Sequence, residues 1–224
     1  MKELLNKIFH KLTAMCCQKQ QIPNLAEYWQ ARVKLHGKRS VLNLAHSEDE
    51  FDAVTATQKQ ILFPLLKEEL LGYETRVLDF GCGPGRFTSD LAELIGGQAV
   101  GVDIVPELLK LAPPTARTSY ECISSTGTLP FVSASFDIVW SCLVPGGIPD
   151  NTLNYTMAEI ERVLKPAGLF FYVEGTALRS DTAYWFYRSQ EVYINLGSFC
   201  AIKVVGKYED KGEPISVFSG RKYK

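Results

Sequence analysis

The spacing of hydrophobic positions changes near residue 76. Before it, apolar residues recur three and four apart, as on one face of a helix. Leu4, Leu5, Ile8, Phe9, Leu12 and Met15 follow that period, ringed by Lys2, Lys7, Lys11 and Lys19. This predicts a basic amphipathic helix over the first twenty residues, ended by Gln18–Gln21 and Pro23. A second helix fits Leu25–Leu35, carrying Tyr28, Trp29 and Arg32, and stops near Gly37. Residues 37–50 are polar and turn-rich and read as a mobile loop. A third helix fits Thr55–Leu71, with Ile61, Leu62, Leu65, Leu66 and Leu70 inward and Gly72 past its end.

After Arg76 the apolar residues come in short runs: Val77–Phe80, Ala99–Val102, Ser119–Ile123, Phe136–Cys142 and Leu169–Val173. Helical stretches at Arg86–Ile95, Pro106–Leu111 and Asn151–Leu164 separate them. Short buried strands alternating with helices predict a parallel sheet covered on both faces. A further helix is expected near Asp181–Leu196. Ile202–Tyr208 and Ile215–Ser219 then read as two strands joined by the Glu209–Pro214 turn, too short for a helix. The last strand should therefore run antiparallel.

Composition narrows the chemistry. The chain has 224 residues, 46% hydrophobic and 22% charged, which fits a globular fold rather than a disordered one. Lys+Arg 24 against Asp+Glu 25 excludes nucleic acid as the main partner, since phosphate neutralisation needs a basic face. The histidines are His10, His36 and His46, so nothing after residue 46 supplies an imidazole. Cysteines at 16, 17, 82, 122, 142 and 200 form no C-x-x-C pair, which argues against a metal site, and Cys16 and Cys17 read as free thiols. Lys7, His10 and Lys11 interrupt any signal-peptide core, and no apolar run is long enough to span a membrane. These features predict a soluble, cytoplasmic, reduced protein.

The strongest local signal is Val77-Leu78-Asp79-Phe80-Gly81-Cys82-Gly83-Pro84-Gly85-Arg86. An apolar strand ends in an acid and a three-glycine loop, and a helix follows. Ligands of open α/β sheets bind at this end of the strands. A dinucleotide fingerprint would need glycine at 86, where arginine stands, and the loop lacks the G-K-[ST] of a P-loop. An acid directly before the loop repels a pyrophosphate but suits a cationic amino group. Val100-Gly101-Val102-Asp103 places a second acid at the next strand end, 24 positions after Asp79, where a carboxylate accepts hydrogen bonds from a ribose diol. The pair describes a nucleoside carrying a positively charged tail, which fits S-adenosylmethionine.

Arg76–Arg86 and Ala99–Ile104 resemble the first two motifs of class I S-adenosylmethionine-dependent methyltransferases, of the small-molecule, type 11/12-like kind. Leu129-Pro130-Phe131 with Ser135–Val139, and Ile160–Gly168, resemble two further family motifs in the same order, so the likeness covers about residues 55–224. The resemblance implies a Rossmann-like doubly wound sheet of about seven strands, mostly parallel with an antiparallel C-terminal hairpin. It divides the chain into an N-terminal helical cap, 1–54, and a cofactor-binding domain, 55–224. By resemblance, Asp79, Gly81, Cys82, Gly83 and Gly85 hold the methionine moiety, Asp103 takes the ribose hydroxyls and Ile104 lies against the adenine. The family often has an acid before the "LPF" stretch; Ser124–Thr128 stands there instead, which leaves Ser125, Thr126 or a backbone group to meet the adenine. Ser141 and Cys142, ending the fourth strand, are expected beside the transferable methyl group.

Methyl transfer from a sulfonium needs mainly orientation of the two reactants. A base is required only for a nucleophile that holds its proton tightly. Glu174, at the end of the fifth strand, is the best-placed carboxylate for that role. Tyr28, Trp29, Arg32, Tyr184, Tyr187 and Arg188, with Cys142, are the expected substrate contacts, because aromatic faces hold planar, apolar or cationic groups and arginine pairs carboxylates. The expected activity is methyl transfer to a small molecule by a monomer or homodimer. Two alternatives stay open: a non-catalytic cofactor-binding protein acting through a partner, and a methyltransferase meeting a lipid-like substrate at a membrane through the first helix.

Overall fold

The computed structural model describes residues 25–182 and 184–224. The helix expected over the first twenty residues, with Cys16 and Cys17, lies outside the described residues.

Seven strands form one sheet: β1 (Arg76–Phe80), β2 (Gln98–Asp103), β3 (Thr118–Cys122), β4 (Phe136–Cys142), β5 (Leu164–Gly175), β6 (Lys203–Asp210) and β7 (Glu213–Arg221). Their order is β3-β2-β1-β4-β5-β7-β6. The pairs among β1 to β5 are parallel, and β7 runs antiparallel to both β5 and β6. This is the doubly wound, Rossmann-like arrangement, with the order reversing between β1 and β4. Central strands are buried on both faces, as a parallel sheet requires: Phe136, Ile138, Val139 and Trp140 have no exposed surface.

Six α-helices surround the sheet among the described residues: α1 (Leu25–His36), α2 (Phe51–Glu69), α3 (Thr88–Leu94), α4 (Pro106–Leu109), α5 (Asp150–Val163) and α6 (Gln190–Ile194). One core lies on the α5 side, built from Phe136, Ile160, Phe170, Tyr172 and Phe218. The other lies under α2 and α3, where Leu62, Leu66 and Leu91 meet Trp140 and Phe171, whose rings stack at 5.2 Å. Full burial of one such side chain contributes about 1.5–3 kcal/mol.

Several boundaries move for identifiable reasons. Helix α2 starts at Phe51 rather than Thr55, following a 3-10 turn at Glu48–Glu50. The Glu50 carboxylate accepts hydrogen bonds from the Ser47 N–H at 2.6 Å and from its hydroxyl at 3.0 Å, which organises the entry. The polar stretch 37–50 also holds a 3-10 turn at Gly37–Val41. Arg32 binds the Ser40 and Leu42 carbonyls, and buried His46 meets Asp210 at 2.6 Å. The helix expected at Asp181–Leu196 shrinks to α6. Side chains claim the preceding backbone: Asp181 accepts from the Tyr187 N–H at 2.7 Å, and Ser189 caps α6 by accepting from the Val192 N–H at 3.3 Å. The β6–β7 connection is tighter than expected. Asp210 pairs with Glu213, leaving Lys211 and Gly212 at φ 52° and 79°, the left-handed pair of a two-residue hairpin turn.

Candidate active site

The carboxyl ends of β1, β2 and β4 open onto a cavity. Its wall includes Asp79, Gly81, Cys82, Asp103, Ile104, Ser125 and Cys142, all expected at the site from sequence. Gly81 sits at φ 73°, and a Cβ there would stand 2.3 Å from a Val144 methyl, so only glycine fits. Gly83 and Gly85 lie behind the wall. The Gly83 N–H donates to Asp103 Oδ2 at 2.9 Å, tying the loop to the end of β2. A Cβ on Gly85 would approach the Tyr120 hydroxyl to 2.8 Å.

The two acids are nearly enclosed. Asp79 accepts one hydrogen bond, from the Thr88 hydroxyl at 2.6 Å. Burial pushes its carboxyl up to about 7, the Thr88 hydrogen bond opposes that shift, and the Asp103 charge adds to it. Asp103 accepts from the Gly83 and Val105 N–H groups, each at 2.9 Å. Burial still raises it to about 6. The Ile104 amide also favours the charged form, so of the about four acceptor positions of a carboxylate Asp103 keeps room for one more donor. Burial lifts the Cys142 thiol to about 12, so at neutral pH it is a neutral wall group. The Cys82 thiol is buried, raised the same way, and packs beside Gly101.

Other expected residues stand elsewhere. Thr126 and Ser141 are not in the wall; Thr126 bonds to the Ser124 and Thr128 hydroxyls, and Ser141 is fully buried. Glu174 reaches neither this cavity nor the next one. It is fully buried, pushed up to about 8 by that burial, and faces the Val144 and Gly146 amides and, at 3.4 Å, the Tyr193 hydroxyl. That placement corrects its expected contact with the reacting groups: it supports the β4–α5 loop from behind. Arg188 is corrected likewise. Its guanidinium is spent on Asp150 and on the Pro145 and Ile148 carbonyls of the same loop.

A second cavity adjoins the first. Trp29, Val41 and Leu143 line both. Tyr28, Arg32, Tyr184 and Tyr187 line the second, with Trp185, Asp210 and Glu213. Tyr28 and Tyr184 stack at 3.6 Å, joining α1 to the segment before α6. Arg32 directs its N–H groups to the Ser40 and Leu42 carbonyls and the Tyr28 hydroxyl, which organises the rim.

Sequence reasoning missed Arg86, Phe87, Val41, Val144 and Thr156 in the first wall. Arg86 was visible inside the glycine motif, where it served only to exclude a dinucleotide fingerprint. The remaining four depend on how loops fold back over the strand ends. Among the described residues no His/Cys/Asp/Glu cluster is arranged to hold a metal, and no helix is long and apolar enough to cross a membrane.

Residues 77–168 match a protein family described as "Methyltransferase domain". That segment, under half of the chain, is similar to methyltransferase domains. A malonyl-[acyl-carrier protein] O-methyltransferase of Erwinia billingiae is 34% identical over 128 residues, 54% of this chain and 50% of that protein. A 2-methyl-6-phytyl-1,4-hydroquinone methyltransferase of Synechocystis is 34% identical over 99 residues, 42% of this chain and 30% of that protein. The chain thus spans half or less of these two relatives. The YcgJ protein of Bacillus aligns with a TM-score of 0.62 at 17% identity, covering 72% of this chain and 98% of that one. Phosphoethanolamine N-methyltransferase 1 of Haemonchus contortus aligns with a TM-score of 0.65 at 16% identity, covering 90% of this chain and 49% of that one. The structural likenesses establish the shared methyltransferase-domain fold.

Proposed function

We propose that this protein is an S-adenosylmethionine-dependent methyltransferase acting on a small-molecule acceptor. One observation carries the reading: Asp79 and Asp103 end adjacent strands, share one cavity with the Gly81 turn, and stand beside the end of β4. The residues fit the cofactor. Asp79 presents an enclosed carboxyl with a single partner, suited to an ammonium group, and Asp103 retains an acceptor position for a ribose diol. The methyltransferases among the relatives support the same reading.

When bound, the cofactor supplies an electrophilic methyl group on a sulfonium. The protein's part is placement. Asp79 and Asp103 fix the two ends of the ligand, and Ile104 and Val144 give it apolar walls. The second cavity is the proposed acceptor chamber, with the described residues 25–54 serving as its cap. Trp29, Val41 and Leu143 form the partition across which acceptor and methyl group meet. Glu174 faces away from both cavities, while Asp210 and Glu213 line the second. We assign the reaction mainly to proximity and orientation, which suit an acceptor that is already nucleophilic at neutral pH.

Calorimetric titration with S-adenosylhomocysteine tests this directly. Binding at micromolar levels is expected; none at sub-millimolar concentration would sink the proposal.

A further inference from the structure

Two described arginines are buried, and they differ. Arg188 has a carboxylate partner, Asp150, at 2.6 Å. Arg86, 8% exposed and in the wall of the first cavity, has none within ion-pair distance among the described residues. Its Nε donates to the Thr55 hydroxyl at 3.1 Å, and its Nη2 to the Gln58 side-chain oxygen. Both acceptors are neutral, and both come from α2. The Phe51 and Phe87 rings lie 5.8 and 4.8 Å from the guanidinium carbon. Its Nη1 has no hydrogen-bond partner among the described residues. Asp79 and Asp210 are near enough for their charges to act on the guanidinium, but neither is in an ion pair with it: Asp79 Oδ2 is held by Thr88 and Asp210 Oδ1 by His46.

A buried cation outside any direct ion pair is costly, and part of that cost is recovered when an anion arrives with suitable geometry. The guanidinium is held at two nitrogens and left open at the third, so its orientation is set before any ligand enters. Guanidinium forks match carboxylates, and such charge-assisted bonds strengthen where water is excluded. Asp79 in the same wall completes a receptor of two opposite charges.

We propose that Arg86 is the carboxylate-binding residue of this cavity, held in register by Thr55 and Gln58. This rests on the methyltransferase reading. The carboxylate has two sources: the amino-acid end of the cofactor, whose ammonium would face Asp79, or an acidic acceptor.

The test compares S-adenosylhomocysteine with 5′-methylthioadenosine, which keeps the nucleoside and lacks the amino-acid end. Both are titrated into the full chain, into Arg86→Gln and into Gln58→Glu. The second variant keeps the arginine and gives it a competing internal carboxylate, so the fold retains its cation. If the cofactor is the source, both variants lose at least about tenfold in affinity for S-adenosylhomocysteine, with 5′-methylthioadenosine unchanged. If the acceptor is the source, both nucleosides bind as before. Benzoate, added to the S-adenosylhomocysteine-saturated protein, then binds the unmodified chain and not Gln58→Glu. Equal losses for both nucleosides would overturn the proposal. So would unchanged nucleoside affinities with benzoate binding absent or unaltered in Gln58→Glu. If neither nucleoside binds the unmodified chain, the methyltransferase reading fails. Benzoate added to the free protein then decides Arg86 alone: loss in Gln58→Glu supports the site, and no binding or no loss rejects it.

Discussion

Buried carboxyls at the two ends of the sheet have opposite surroundings. Where β1 and β4 begin, Asp137 accepts from the Thr75 and Arg76 N–H groups at 3.1 and 3.0 Å and meets Lys165 at 2.6 Å. Burial pushes this carboxyl up, yet Lys165 and the two amides pull it below its ordinary value. Glu74, beside them, is likewise lowered against its burial by the Leu71 amide and Arg221. At the opposite edge, where β1, β2 and β5 end, Asp79, Asp103 and Glu174 are raised to about 7, 6 and 8. Burial dominates there because none of the three is in a direct ion pair: Arg86 and Arg188 lower Asp79 and Glu174 only in part. The sheet thus satisfies its acids at one end and leaves them short of donors at the other. Internal satisfaction serves the fold; incomplete satisfaction leaves binding energy for a ligand.

Substitutions at the two ends should therefore separate stability from affinity. The largest effect is expected for Asp137→Ala, which strands two amides and a lysine. It should cost about 2–4 kcal/mol of unfolding free energy in denaturant titration, with the folded fraction binding S-adenosylhomocysteine as before. Asp79→Asn should do the reverse. A lost charge-assisted contact of about 1.5–3 kcal/mol corresponds to a roughly tenfold to hundredfold weaker S-adenosylhomocysteine complex, with the melting temperature unchanged or higher. Asp103→Ala should weaken the same complex at least about tenfold, or 1.4 kcal/mol. If Asp79→Asn unfolds the protein while Asp137→Ala only weakens the ligand, the contrast between the two ends is wrong.

The fold was legible because its signals are local. Short β runs, glycine stops and the terminal hairpin can each be read without knowing what packs against them, and the core strands fall within a few residues of expectation. The Asp79 and Asp103 positions were legible for the same reason, since strand, acid and loop are contiguous. Glu174 and Arg188 were misread because a side chain's direction depends on a distant loop. Glu174 alternates onto the face covered by Val144–Gly147, and Arg188 is drawn to the carbonyls of that loop. The expected helix at Asp181–Leu196 was overruled similarly: the Phe186 N–H donates to Gly146 O at 2.8 Å, a tertiary bond that competes with helix formation. Arg86 lay in plain view, but its value as a site residue depends on Thr55 and Gln58 arriving from a separate helix.

The pH dependence of stability is the most diagnostic of the strand-end chemistry. Asp79, Asp103 and Glu174 have ordinary values of 3.8, 3.8 and 4.5 and folded values of about 7, 6 and 8. The folded state therefore binds more protons than the unfolded state between these limits, and stability falls as pH rises. The contribution is fully present below about pH 4 and lost through the folded values. The paired acids at the other end are lowered, so their contribution is lost only under more acidic conditions and does not mask this window. Ligand-free protein should accordingly melt at a lower temperature at pH 8.5 than at pH 5.5, by an amount on the order of 1 kcal/mol per group. Glu174→Gln keeps the shape of the protonated acid without its titration, so it should match the parent only near pH 4 and exceed it by a margin that grows toward pH 8.5. A melting temperature that rises toward pH 8.5, or a Glu174→Gln variant with the parent's slope, would mean that the strand-end carboxyls are ionised in the folded protein, and the two ends of the sheet would then be alike.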